Sequence, residues 1–357
     1  MRCLRHWGWS KLVSNINIIG NGFDLYHGLP TSYYYFACYV LFHDEEFYDE
    51  LASMYGFSKG IMHHVTDDLE RGIDDCGYWN EFERQLGLIS SSWIEDSLLD
   101  DLNLEYPDAV DLDIDKSENV EKLQSLFEQW INETIDLEQN YQVVEKNIGA
   151  KKLHFSETDE FISFNYTHTL EAVYEMDNVF HIHGKGKLYG DNEVLIIGHG
   201  NNQVIQELSK KIQKLDGDDY DQPSRNRKIE YKSELEVLNA LKKPVEYCME
   251  DLRKYLEKWK SPEKIVVWGF SLCEVDLLYI NEIRRRWPEC RWSFSYFNDN
   301  DKERVKATAK QLNLNESQWD EFMFKNEFTA AIQDEILLLN KVDTYPRLVD
   351  LLKRKKL

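Results

Sequence analysis

A chain of 357 residues is long enough to bury a full core, as one large α/β domain or one domain with a sizeable insertion. Hydrophobic residues at 42% and aromatic residues at 13% exclude wholesale disorder. Acidic residues number 65 against 42 basic ones, and the formal net charge of −23 repels phosphate backbones, which excludes non-specific nucleic-acid binding.

Residues 1–14 read as a loose N-terminal extension: Arg2, Arg5 and two tryptophans precede an apolar run, with no small-residue cleavage site. That run, Ile16 to Ile19, ends abruptly in Gly20-Asn21-Gly22, and Gly28-Leu29-Pro30 follows. This is the pattern of a buried parallel strand that turns sharply over a ligand. Glycine permits backbone angles closed to other residues and lets main-chain N–H groups approach phosphate. The spacing is not the dinucleotide G-x-G-x-x-G fingerprint, because Leu25 stands where the third glycine belongs. A strand–turn–helix corner without a ligand is the competing reading. Thr31 or Ser32 caps a helix expected over Tyr33 to Phe47, whose aromatic density implies burial. Its apolar part is too short to span a bilayer, and the protein is expected to be soluble and cytoplasmic. Trp79 and Glu83 share a helical face, and Ser90 to Ser117 is an acidic stretch read as a helix plus an exposed loop. Leu123, Leu126, Phe127, Trp130, Ile131 and Ile135 recur at helical spacing.

The texture then changes. Glu160 to Phe164 is a β-type run ending at Asn165, and Val179 to His183 is another, ending at Gly184. Val194 to Ile197 reads as a third, ending in Gly198-His199-Gly200-Asn201. Helix returns from Asn202 to Lys260, interrupted by a polar loop over Gly217 to Arg227, with Pro244 opening its last helix. Lys264 to Trp268 is the most strand-like segment and ends in Gly269-Phe270-Ser271; Trp292 to Phe297 is the last strand and ends at Asn298-Asp299. Arg284-Arg285-Arg286 and the basic tail within 341–357 suit helix C-termini. The alternation implies a Rossmann-like α/β fold: a mostly parallel, doubly wound sheet with helices on both faces and helical insertions at about 70–150 and 202–260. Ligands of such sheets lie at the carboxyl ends of the strands. Five strand ends, at Gly20-Asn21-Gly22-Phe23-Asp24, Asn165, His183-Gly184, Gly269-Phe270-Ser271 and Asn298, are therefore expected to converge on one crevice. None of the six cysteines forms a C-x-x-C pair, so reduced core thiols are expected and no metal.

GNGFDLYHGLPTSY, FNYTHTLE, HIHGK, IIGHGN and GFSLCEVD, in this order and spacing, look like the AbiH family of bacterial abortive-infection proteins. Beneath that lies a more distant resemblance to the SIR2-like or sirtuin NAD-binding fold. Gly20, Gly22, Gly28 and Pro30 match the sirtuin G-A-G-x-S-x-x-x-G-I-P spacing. The FNY segment resembles an element of SIR2-like defence proteins and puts their catalytic asparagine on Asn165. The H-G pair puts the catalytic histidine on His183, and Gly269 and Ser271 resemble a further G-F-S element. Asp24 replaces the usual serine, Thr167 the aspartate after N-Y, and the zinc ribbon of protein deacetylases is missing.

The resemblance implies an antiphage NAD(P)+ glycohydrolase with Asn165 and His183 as catalytic residues. Gly20, Asn21, Gly22, Phe23, Asp24, Gly28, Pro30, Thr31, Gly184, Gly269, Phe270, Ser271, Asp276 and Asn298 would bind the nucleotide. NAD or a related nucleotide is the implied ligand, with a homo-oligomer or a phage-derived protein as further partner. The chemistry is coherent: cleaving nicotinamide from NAD passes through an oxocarbenium-like centre, an asparagine can position ribose or water, and a near-neutral histidine can take a proton. Each residue also has a plainer role open to it. Asn165 could satisfy a turn, His183 could be a core histidine, and Asp24 could cap a helix. His181 and His183 share a face by strand alternation, so the choice between them rests on the H-G resemblance; His199 is a rival base. Two other functions stay open: a nucleotide sensor without turnover, and an interaction scaffold of a defence complex.

Overall fold

The computed structural model describes residues 15–55, 82–88, 117–191, 193–215, 222–270 and 274–340. The expectations for the N-terminal extension, Trp79, the acidic stretch before Ser117, Ser271 and the basic tail lie outside the described residues. The chain divides into two compact units, one drawn from segments up to Thr31, Ile135–Val194 and Pro244–Ile336, the other from Ser32–Thr134, Leu195–Lys243 and the chain from Leu337 onward.

The first unit holds the sheet. Its elements are β1 (Asn15–Ile19), α1 (Asn21–Tyr26), α2 (Glu138–Ile148), β2 (Glu160–Ser163), α3 (Thr169–Tyr174), β3 (Val179–His181), α4 (Val245–Glu257), β4 (Lys264–Trp268), α5 (Glu274–Arg286), β5 (Arg291–Tyr296), α6 (Asp299–Gln311), β6 (Trp319–Met323) and α7 (Thr329–Leu339). The six strands are all parallel, in the order β3-β2-β1-β4-β5-β6. Ile18 pairs with Ile162 on one side and Val267 on the other. β1 is buried from Ile16 to Ile19, as in parallel sheets covered on both faces, and its one interior polar side chain, Asn17, accepts from Trp268 Nε1–H at 2.9 Å. One core packs Ile19, Phe23, Tyr26, Tyr174, Phe324 and Ile332 together with Val144 and Ile148 of α2.

The strand order reverses between β1 and β4. In this topology the reversal opens a ligand crevice at the strands' carboxyl ends. Gly20, Asn165, His183 and Gly269 follow β1, β2, β3 and β4 at that end.

The second unit, among the described residues, is helical. Helices Tyr33–His43, Glu45–Tyr55 and Ser117–Trp130 contribute Phe36, Phe127 and Trp130, whose rings stand 5.3 Å from Phe36 in both pairs. The amphipathic helix predicted around Leu123 to Ile135 is present, its last turn widened into a π-helix over Ile131–Ile135. The helix expected over Tyr33 to Phe47 is broken at Asp44, because the Asp44 carboxylate accepts from the Phe47 N–H at 2.9 Å and starts a new helix.

Two expectations about strands are corrected. Val194 to Ile197 forms no strand: the backbone beyond it is tied to the end of helix Gln222–Ala240, His199 N–H to Leu241 O and Lys243 N–H to His199 O, each at 2.9 Å. A four-residue apolar run carries too little periodicity to show this. Trp292 to Phe297 is not the last strand either. β6 follows it, an edge strand whose Asp320 and Glu321 hide the alternation and pair with Lys264 and Lys302. Residues 222–227, expected in a loop, begin the helix Gln222–Ala240. Among the described residues, no helix is long and apolar enough to cross a membrane.

Candidate functional site

The glycine-rich turn lies at the strand-order reversal and is closed by backbone. Gly20 N–H donates to Trp268 O at 2.9 Å and Gly22 N–H to Gly269 O at 2.6 Å. A side chain on Gly20 would meet the Phe270 backbone at 2.6 Å, and one on Gly22 would meet Gly269 Cα at 2.7 Å. Gly269 has a positive φ of 55°, and any Cβ there would strike the Gly22–Phe23 peptide. The three glycines therefore interlock two strand ends, and the amides of Gly20 and Gly22 are engaged within the chain.

Several other residues given to nucleotide binding have different neighbours. Gly28, at φ 78°, faces Ile332 of α7, where a Cβ would sit 2.6 Å away. Phe23 is fully buried in the core, 6.0 Å from Tyr174 and 6.3 Å from Phe324. Pro30 is buried, and Thr31 contributes its carbonyl to the Asn21 side-chain N–H at 3.1 Å. Asn298 is exposed at the end of β5 and caps α6, its Oδ1 accepting from Asp301 N–H at 2.9 Å. It stands at the end of a strand two places from β1 and does not join the cluster. Asp276 is buried in α5, and Gly184 turns at φ 78° beside His183.

The dense chemistry lies just past β2, in Asn165-Tyr166-Thr167-His168-Thr169. Asn165 is buried, and its Nδ2 donates to Gly20 O at 3.0 Å, tying the ends of β1 and β2 together. The same side chain bonds the Asp24 carboxylate. Thr167 and Thr169 each donate a hydroxyl to Asp24, both at 2.7 Å. Burial pushes the Asp24 carboxyl up to about 6, while the hydrogen bonds from Thr169, Thr167 and Asn165 oppose the rise and nearby Asp136 adds to it. Asp24 is thus an interior carboxyl whose pKa burial raises, not a solvent-facing helix cap.

His183 and His181 part company. β3 ends at His181, so the alternation that would place both on one face stops there. His181 Nδ1–H donates to Asn165 O at 3.0 Å, and its Nε2 lies 2.9 Å from Glu171 Oε1. His183 is buried among rings, 5.6 Å from Phe164, 6.4 Å from Tyr166 and 5.9 Å from Tyr279. Phe164 and Tyr166 flank Asn165 in sequence, so the imidazole packs on the two rings that bracket the asparagine. Phe270, partly exposed, covers Phe164 at 4.5 Å.

A family model for bacteriophage abortive infection AbiH matches residues 16–296, well over half of the chain. The chain belongs to the AbiH family. That membership places the protein in abortive infection, a defence against bacteriophage. No curated protein and no solved structure gives a match.

Within this AbiH protein the remaining candidates resolve into structural parts. His199 Nε2–H donates to Leu238 O at 2.9 Å and its Nδ1 accepts from Asn201 N–H at 3.0 Å, which fixes one neutral tautomer; burial lowers its pKa. Glu83 pairs at 2.8 Å with the fully buried Lys243. Sequence reasoning missed His168 and Asp136. His168 lies inside the quoted FNYTHTLE segment, but its carboxylate partner stands 32 residues away, a separation no local pattern reports.

Proposed function

We propose that the protein serves phage defence as an NAD(P)+ glycohydrolase, cleaving the bond between nicotinamide and ribose, on a sheet related to the SIR2-like fold. The observation that carries this reading is that Asn165 bonds both Gly20 O and Asp24 at the strand-order reversal of a 3-2-1-4-5-6 sheet, with His183 packed on the Phe164 and Tyr166 rings that flank Asn165. Water attacking the anomeric carbon must lose a proton while the glycosidic electron pair leaves with nicotinamide. His183 takes that proton and releases it to solvent, and Asn165 orients the ribose or the water. The products are neutral nicotinamide, ADP-ribose and one proton. Phe164, Tyr166 and Tyr279 around His183 exclude bulk water, which strengthens each polar contact to a developing charge.

A second reading, nucleotide sensing without turnover, is favoured by one observation: Thr167, standing where an aspartate follows N-Y in the SIR2-like element, spends its hydroxyl on the buried Asp24 at 2.7 Å. Incubating the purified protein with NAD and measuring free nicotinamide by chromatography decides between them. Release of nicotinamide supports the hydrolase; calorimetric binding without release supports the sensor; neither result overturns both.

A further inference from the structure

We propose that protonated His168 is a clamp that holds the loop carrying His183 against the Asn165–Thr169 segment, which makes it a positioning residue. The proposal rests on the role given to His183 above. β3 ends at His181, and Ile182 N–H, donating to Ser163 O at 3.0 Å, is the last bond of that ladder. Beyond it the loop needs other anchors. Gly186 N–H donates to Tyr166 O at 2.8 Å. Asp191 Oδ2 accepts from His168 Nε2 at 3.2 Å and from Lys185 at 3.0 Å. On the other side of the ring, His168 Nδ1 lies 2.7 Å from Asp136 Oδ2.

The ring is fully buried with a carboxylate at each nitrogen, and both bonds form together only when both nitrogens carry hydrogen. Asp136 is fixed in turn: its Oδ1 accepts from Tyr141 OH at 2.6 Å and from His168 N–H at 2.9 Å. Gly186 packs so tightly on the Asp136 carboxylate that a Cβ would stand 2.9 Å from its Cγ. One imidazolium thus joins the entry to α2, the segment after β2 and the loop after β3.

The groups facing His168 are Asp136 from the entry to α2, Glu171 from α3, Asp191, Lys185 and Tyr189 from the loop, and His181 from β3. Burial alone would lower its pKa; the hydrogen bond and charge of Asp136, the charge of Glu171 and the bond to Asp191 outweigh it, and the pKa is raised. A raised folded pKa means that the clamp is complete below about pH 6.5, the unfolded value, and weakens as pH rises through the folded one.

The test is hydrogen exchange of the peptide covering 184–191, corrected for intrinsic rate, in wild type, His168→Gln and Asp191→Asn. Because Asp191 is partly exposed, the second variant keeps the test valid should the first fail to fold. At pH 6.5 exchange in 184–191 should rise about tenfold in His168→Gln and less in Asp191→Asn, with β1 and β4 unchanged. In wild type the same peptide should loosen as pH rises, and the variants should lose that dependence. The kcat for NAD cleavage should fall with KM changed less than twofold. Unchanged loop exchange in a folded His168→Gln protein overturns the clamp. If the loop loosens as expected in a protein that never cleaves NAD, the clamp stands and the hydrolase reading falls.

Discussion

At Gly20–Gly22 the chain is held mainly by backbone: main-chain bonds to Trp268 and Gly269 and contacts that leave no room for a Cβ, with the Asn165 amide on Gly20 O as the tie to the neighbouring strand. At Asn165–Thr169, one strand over, the hold is by side chains: an amide, two hydroxyls and an imidazole on two interior carboxylates. The first region depends on shape and is indifferent to pH. The second depends on protonation and carries the groups able to move protons. The glycine motif here marks where the sheet turns, and the buried titratable side chains sit beside it.

The largest effect that could break this division is the His183→Ala variant. Loss of the proposed general base should cost on the order of 3–5 kcal/mol of barrier, or roughly 10²–10⁴-fold in kcat, with nucleotide affinity little changed. Nicotinamide release and calorimetry measure the two separately. The companion His181→Ala removes the contacts to Asn165 O and Glu171 and should destabilise more than it inactivates. Full activity in a folded His183→Ala protein would move the base to Asp24.

Next comes the backbone lock. Gly269→Ala combines a positive φ with a collision against the Gly22–Phe23 peptide, and should cost about 3 kcal/mol in thermal or urea unfolding. A wild-type midpoint would mean that the two strand ends are not interlocked.

Asp24→Asn sharpens the contrast through pH. A carboxyl raised from 3.8 to about 6 binds its proton more tightly in the folded state, so stability should fall as pH rises from about 4 to about 6 and level off above. At 1.36 kcal/mol per pKa unit the fall is on the order of 3 kcal/mol, and the difference between wild type and Asp24→Asn across that window isolates it. A difference that is flat with pH would contradict the buried carboxyl with its raised pKa.

Smallest is Asn298→Ala. Removing the cap of α6 should cost about 1 kcal/mol and leave nucleotide turnover untouched. A drop in turnover without a drop in stability would return Asn298 to the site.

The parallel sheet was legible because short β-type runs, rich in Ile, Val, Phe and Trp, stop at glycine, asparagine or histidine and alternate with helical stretches. β6 was not, since Asp320 and Glu321 interrupt its pattern and their partners Lys264 and Lys302 come from elsewhere in the chain. Asn165 could be picked out by its position after a strand and by family likeness. Its bond to Gly20 O, 145 residues away, could not.

From the sequence alone came the alternation of strands and helices, the turn at Gly20–Gly22 and the family likeness, because periodicity and glycine are local properties of the chain. Tertiary structure alone decided the rest. It made Gly28 and Phe23 packing residues, turned Asn298 into a cap and gave Asp24 its raised pKa. It also separated His183 from His181 and brought His168 to Asp136. Burial and proximity between distant segments set those roles, and neither is encoded within any short stretch of residues.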